Sequence, residues 1–236
     1  MAYADVETSS EEYARRFAGP VGEWFLAVQT RLTLELIAAY HGSTVLDVGG
    51  GHGQLAAPLT RAGYDVTVLG SAEVCAERVR ALIDARRVRF RAGDLLRAPF
   101  PDKSFDVVIA YRLLSHIGEW RALVGELSRL ARRAVVVDYP TKRSVNAFAD
   151  ALFGLKKGVE GNTRPFLVFR DSEVEEALGA AGFKVTAGRP EFFWPMALHR
   201  ALRAAPLSRG LEGFASALGL TGAFGSPVIA RAESRG

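Results

Sequence analysis

The chain has 236 residues, 49% of them hydrophobic and 24% charged, the make-up of a folded globular protein and not of a disordered tail, a collagen or a repeat array. Thirty Lys and Arg against 26 Asp and Glu leave a formal charge of +4, but the basic residues are dispersed and form no Lys/Arg-rich block, which disfavours a nucleic-acid surface. The amino end carries Asp5, Glu7, Glu11 and Glu12 where an export signal would be apolar, and no uncharged run approaches the ~20 apolar residues of a membrane span.

Residues 11–40 repeat apolar positions at three- and four-residue steps (Tyr13, Phe17, Trp24, Phe25, Val28, Leu32, Leu36) and predict two helices broken at Gly19-Pro20. TVLDVGG then reads as a short strand ending in glycines, 54–62 as a helix, and YDVTVLG as a second strand closed by Gly70. The alternation continues with a helix over 72–82, a strand over 87–91, the strand FDVVIA, a helix over 119–131 and the strand RAVVVD. Strands alternating with helices predict a parallel sheet covered on both faces. After Asp138 the rhythm breaks for about forty Phe-rich residues before the helix EVEEALGAAGF and a strand from Phe183; two short helices bounded by Pro195, Pro206 and Gly219 and a last strand, SPVIARAES, complete the chain. No low-complexity linker interrupts 1–236, which is expected to form one domain. The single cysteine, Cys75, reads as a small buried apolar residue that cannot close an internal disulfide, so the cytoplasm is the expected compartment.

The central signal is Val45-Leu46-Asp47-Val48-Gly49-Gly50-Gly51-His52-Gly53, a buried strand that enters a helix through four glycines. A Cβ at those positions would keep a ligand off the backbone, and the N–H groups at the helix start suit a carboxylate or phosphate. Gly51, Gly53 and Ala56 also fit the dinucleotide pattern GxGxxA, although that match starts late and lacks the acid expected about 20 positions on. Further along, AGDLLRAPFPDKSFDVVIAYRLLSHIGEW follows at matching separations.

With these motifs in place, the segment 45–137 resembles the core of class I S-adenosylmethionine-dependent methyltransferases, in particular the group of the ubiquinone and menaquinone biosynthesis methyltransferases. The resemblance implies a Rossmann-like α/β fold with a seven-stranded, mostly parallel sheet, helices on both faces and the last strand antiparallel. It implies a helical cap over 1–42, a cofactor-binding core over 43–138, an inserted lid over 139–182 and C-terminal strands and helices over 183–236. It implies S-adenosylmethionine as cofactor, leaving as S-adenosylhomocysteine. Asp47, Gly49, Gly51 and Gly53 match the loop that holds the methionine part. Asp94, followed by Leu95, matches the acceptor for the adenine amino group, or is a turn residue after the third strand. Tyr111 and Arg112 stand beside the donor, although Tyr111 could equally be a core aromatic. The family ends its second strand with an acid that binds the ribose hydroxyls; here Gly70 stands in that place, and Ser71 or Glu73 is the nearest substitute. Losing a hydrogen bond to a charged acceptor costs ~1.5 to 3 kcal/mol, so donor binding is expected to weaken, not vanish.

Ligands of open parallel sheets lie outside the carboxyl ends of the strands, which points the acceptor at Tyr111, Arg112, Ser115, His116, Asp138 and Tyr139. His116 is the leading candidate for a base because imidazole accepts a proton near neutral pH; it could also cap or pack. Asp138 and Tyr139 would orient the acceptor or a base, or Asp138 opens a helix. The histidines are scattered and the carboxylates show no metal-ligand spacing, so no metal is expected. His199, among arginines, reads as a surface residue. Phe148, Phe153, Phe166, Phe169, Phe192, Phe193 and Trp194 supply apolar walls suited to an aromatic, isoprenoid or polyketide-like small molecule, or form that region's own core. Phe193, Trp194, Met196 and Leu198 beside Arg200, Arg203 and Arg209 leave open a peripheral membrane contact. The competing functions are a non-catalytic binding protein on the same fold and a nucleic-acid methyltransferase.

Overall fold

The computed structural model describes residues 4–144 and 166–236. In chain order these form helices α1 (Ala4–Thr8), α2 (Glu11–Arg15) and α3 (Gly19–Ile37), then β1 (Thr44–Val48), α4 (Ala56–Arg61), β2 (Asp65–Gly70), α5 (Arg80–Asp84) and β3 (Val88–Ala92). They continue with β4 (Phe105–Ala110), α6 (Trp120–Leu130), β5 (Ala131–Tyr139), α7 (Asp171–Ala180), β6 (Phe183–Phe192), α8 (Met196–Leu202), α9 (Ala205–Ala217), α10 (Leu220–Phe224) and β7 (Ser226–Ser234). Among the described residues, seven strands make one sheet in the order β3-β2-β1-β4-β5-β7-β6. Strands β1 to β5 pair in parallel, and β7 runs antiparallel to both β5 and β6. The expected Rossmann-like architecture is therefore present, including the late antiparallel strand.

Period-two alternation places the core on both faces. Leu46, Val48, Val108, Val135 and Val137 pack on one side against α6 and α7. Their neighbours Val45, Val107, Ile109, Ala134 and Val136 pack on the other, with Leu32 and Leu36 of α3 and Leu59 of α4. Helix α6 buries Trp120, Leu123, Val124, Leu127 and Leu130 at three- and four-residue steps; cutting the fully buried Leu127 to Ala removes ~2 to 5 kcal/mol by leaving a cavity. A third cluster joins Val21, Trp24 and Phe25 of α3 to Phe192 and Ala205.

Two expectations change. The helix expected over 72–82 is wound more tightly, as a 3-10 stretch Glu73–Val79 followed by α5. Within that stretch Cys75 is wedged between two glycines, its Cβ 2.9 Å from where a Gly51 Cβ would stand and 2.6 Å from the corresponding Gly70 position. His199 is not a surface residue. It is fully buried, edge-on to Trp24 and Phe25, with Nε2 3.0 Å from Glu212 Oε1; the aromatic cluster supplies apolar walls and Glu212 the polar partner that burial demands.

Candidate functional site

Strand β1 lies where the strand order reverses, between β2 and β4, and the glycine loop leaves its carboxyl end. Gly49 turns the chain with φ 70°, open to glycine at no steric cost, while its N–H donates to the Leu69 carbonyl at 2.7 Å. Close approach explains two more glycines: a Cβ on Gly50 would stand 2.1 Å from Asp47 Oδ2, and one on Gly51 would stand 2.2 Å from Ser9 Oγ and 2.7 Å from the Cys75 carbonyl. Asp47 is buried beneath the loop, and burial pushes its carboxyl up to about 7 against the pull of Arg112. His52 is edge-on to Tyr13 and Phe17; burial and the charges of Arg112 and Arg78 push it down to about 3, so the ring is neutral. Both its ring nitrogens, and one terminal nitrogen of Arg112, are buried with no described partner.

The loop's niche is filled by the chain itself. Helix α1 lies across it with Asp5 fully buried, one carboxylate oxygen accepting from the Ser71 N–H and the other from the Ser71 hydroxyl, each at 2.6 Å. Ser9 follows, its hydroxyl donating to the Asp5 carbonyl at 2.6 Å while touching the Gly51 position. What remains open beside Thr8, Asp47, Gly49, Gly50, Tyr111 and Arg112 is about 20 Å³, the room of about one water. Of the residues expected to hold the donor, Asp47, Gly49 and Tyr111 line this remnant, and Gly51 faces Ser9. Gly53 closes the loop at φ 76°. Gly70 packs on Cys75 and Phe90, and Ser71 is engaged by Asp5. The Gly93 N–H, held by the Gly70 carbonyl at 2.9 Å, keeps the next turn beside β2. In that turn Asp94 is exposed and accepts from the Leu96 N–H at 2.8 Å, as a turn residue does, while Leu95 is fully buried in the core. The Tyr111 hydroxyl is 2.7 Å from Thr33 Oγ1, and burial pushes its pKa well up.

A second, open cavity of about 700 Å³ lies at the carboxyl ends of β4 and β5, within the ~300 to 1,000 Å³ typical of small-molecule sites. Tyr13, Phe17, Phe25, Leu26, Met196 and Leu198 form apolar walls; Gln29, Arg112, His116, Asp138 and Glu191 interrupt them. Arg112 has φ 56°, a conformation that costs ~1 to 3 kcal/mol unless the surroundings hold it. Its N–H donates to Asp138 Oδ1 at 2.6 Å. Gln29 donates to Asp138 Oδ2 at 3.3 Å and to Glu191 Oε1 at 2.9 Å, and accepts in turn from Gln54, which accepts from Arg112. Burial pushes Asp138 up to about 6, opposed by the Arg112 N–H; burial and the Asp138 charge push Glu191 up to about 8. His116 stands beside Phe166, ring centroids 5.6 Å apart.

Tyr139 does not join this cavity. One residue beyond Asp138 on a strand, it points to the opposite face, edge-on to Phe169, and burial and Asp171 push its phenol up. Phe148 and Phe153 lie outside the described residues. Four polar side chains here were not anticipated: Asp5, Gln29, Gln54 and Glu191. Two of them carry a local signal, a polar residue within apolar surroundings: Gln29 on the buried face of α3 and Glu191 in PEFFWP.

A family profile described as "Methyltransferase domain" matches residues 46–136. The demethylmenaquinone methyltransferase of Beutenbergia cavernae is 32% identical over 173 residues, 67% of this chain and 70% of the relative. The chain belongs to the class I S-adenosylmethionine-dependent methyltransferases. The ubiquinone biosynthesis O-methyltransferase of Paramagnetospirillum magneticum is 31% identical over 122 residues, and the match spans about half, 49%, of that relative's length. The structure of magnesium protoporphyrin IX methyltransferase from Synechocystis PCC 6803, solved with S-adenosylhomocysteine, superimposes with a TM-score of 0.67 over 96% of each chain at 18% identity, a likeness of fold. Among the described residues no helix is long and apolar enough to cross a membrane.

Proposed function

We propose that this methyltransferase moves the methyl group of S-adenosylmethionine to an apolar small molecule, in the cytoplasm and without a metal. The observation that carries the reading is the junction of two spaces at Arg112: the glycine-loop niche on one side and the 700 Å³ apolar cavity on the other. Bound there, the cofactor supplies an electrophilic sulfonium methyl, so the protein's work is alignment and, for a protonated acceptor, proton removal.

The residues fit the cofactor once α1 is lifted. The bare peptide of Gly49, Gly51 and Gly53, the unpartnered nitrogens of His52 and Arg112, and the Ser71 N–H and hydroxyl released by Asp5 would receive its polar groups. Asp94 and Leu95 would border the adenine and Asp47 and Tyr111 the methionine part; Gly70 leaves the ribose edge to Ser71. Helix α1 is only five residues long, too short to persist undocked, so lifting it breaks chiefly its contacts with the loop. His116 and Asp138 face the acceptor; Tyr139 supports the strand behind them. The apolar walls suit an aromatic, isoprenoid or polyketide-like molecule, a class with room for the acceptor of a ubiquinone- or menaquinone-type relative.

A second reading, a non-catalytic chain that keeps the fold without the donor, is favoured by the same filled niche. Calorimetry with S-adenosylhomocysteine separates the two. Binding by the wild type, or by an Asp5→Ala variant whose α1 is loosened, supports the enzyme; no heat from either at millimolar ligand supports the non-catalytic chain.

A further inference from the structure

The acceptor cavity has two carboxylates at its inner end and an imidazole at its outer one. Gln29 bonds Glu191 and Asp138 and is itself tied through Gln54 to Arg112, so this end adjoins the donor niche. His116 stands beside Phe166, which is 55% exposed. Both oxygens of Asp138 are engaged, one by the Arg112 N–H and one by Gln29. Glu191 accepts one hydrogen bond, at Oε1, and its Oε2 has no described partner although the residue is only 8% exposed and lines the cavity.

We propose that Glu191 is the base for a hydroxyl-bearing acceptor. The acceptor O–H bond breaks with its proton passing to Glu191 Oε2, the O–CH₃ bond forms, and the S–CH₃ bond breaks with its electron pair retained by sulfur. The inference rests on the proposed methyl transfer and narrows its acceptor to a phenol or enol.

Burial and the Asp138 carboxylate keep Glu191 protonated to about 8, which makes its anion a stronger base than an ordinary carboxylate. The charged groups around it leave Oε2 unpaired. Arg112, turned to Gln54, pulls Glu191 down less than burial and Asp138 push it up; Tyr111 is engaged with Thr33. Arg16 and Arg200 line the same cavity, and Arg31, Arg209 and Glu212 line a second one that Glu191 also borders. No described cation forms an ion pair with Glu191.

The test is methyl transfer from S-adenosylmethionine to a naphthol and a prenylated catechol, followed across pH, with S-adenosylhomocysteine affinity measured beside it. In the wild type kcat/KM should rise about tenfold per pH unit and level near 8, the value for Glu191. Glu191→Gln should lose about 10²-fold or more of kcat, with KM and affinity for S-adenosylhomocysteine within about twofold. Asp138→Asn, by removing the charge that raises Glu191, should move the limb to lower pH, which loss of a structural contact alone would not do. Glu191→Gln that keeps the activity and the limb, or His116→Ala that abolishes the limb, overturns the proposal. So does a wild type that binds the thioether but methylates neither probe; failure to bind the thioether in both wild type and Asp5→Ala instead overturns the function on which it rests.

Discussion

The two spaces flanking Arg112 are built in opposite ways. The donor niche is closed: α1 lays Asp5 on Ser71 and Ser9 on Gly51, leaving about 20 Å³. The acceptor cavity is open at about 700 Å³, its walls contributed by α2, α3 and α8 and its floor by β5 and β6. The closed space is lined by the glycine peptides and mostly polar side chains, the open one mostly by aromatic and aliphatic ones. A niche whose ligand binds through backbone can be occupied by the protein's own carboxylate and hydroxyl, because those offer the loop the same kind of oxygen; an apolar cavity has no such substitute within the described residues.

The largest expected effect breaks the niche itself. Gly51→Val puts a branched side chain where even a Cβ meets the Cys75 carbonyl at 2.7 Å, so donor affinity should fall more than a hundredfold in calorimetry while circular dichroism confirms the fold; unchanged affinity would remove the loop from the site. Asp5→Ala acts in the opposite direction. It deletes two hydrogen bonds to a carboxylate that hold α1 down, each worth ~1.5 to 3 kcal/mol, so S-adenosylhomocysteine should bind about 10²- to 10⁴-fold tighter. Weaker binding would show that Asp5 is a donor ligand and not an obstruction.

A third expectation concerns stability and belongs to the junction. Asp47, Asp138 and Glu191 are raised by burial to about 7, 6 and 8, so each binds its proton more tightly folded than unfolded. Their contribution is complete below the ordinary carboxylate range and is lost as pH rises through these values. Melting temperature should therefore fall between about pH 5 and pH 8.5, and Glu191→Gln should flatten that slope; a Tm rising over the interval would contradict the burial of these acids. The smallest effect is expected at the outer end of the cavity, where His116→Ala should change turnover only several-fold with donor affinity intact, as initial-rate and calorimetric measurements would register.

How much of this was legible in advance follows from how local each signal is. Strand and helix order came from apolar runs of period two and 3.6 punctuated by glycine, and β1, the glycine loop and β4 stand where those patterns place them. The donor residues Asp47, Gly49 and Gly51 share one short segment, so their grouping needed no tertiary knowledge. Glu191 and Gln29 are 162 positions apart and meet only because β6 crosses α3, which no local pattern encodes. Asp5 reads as one acid in an acidic amino end, and only the docking of α1 reveals that its carboxylate is seated on Ser71. His199 departs from its surface expectation for the same reason: its arginine neighbours are local, while Trp24 and Glu212, which bury it, are not.

The central claim is that the glycine loop receives the adenosyl donor in exchange for α1. A crystal structure grown with excess S-adenosylhomocysteine tests it most directly. The account predicts the nucleoside against Gly49 and Gly51 with Asp5 lifted from Ser71; the ligand bound elsewhere, or Asp5 still seated on Ser71 with no ligand on the loop, would contradict it.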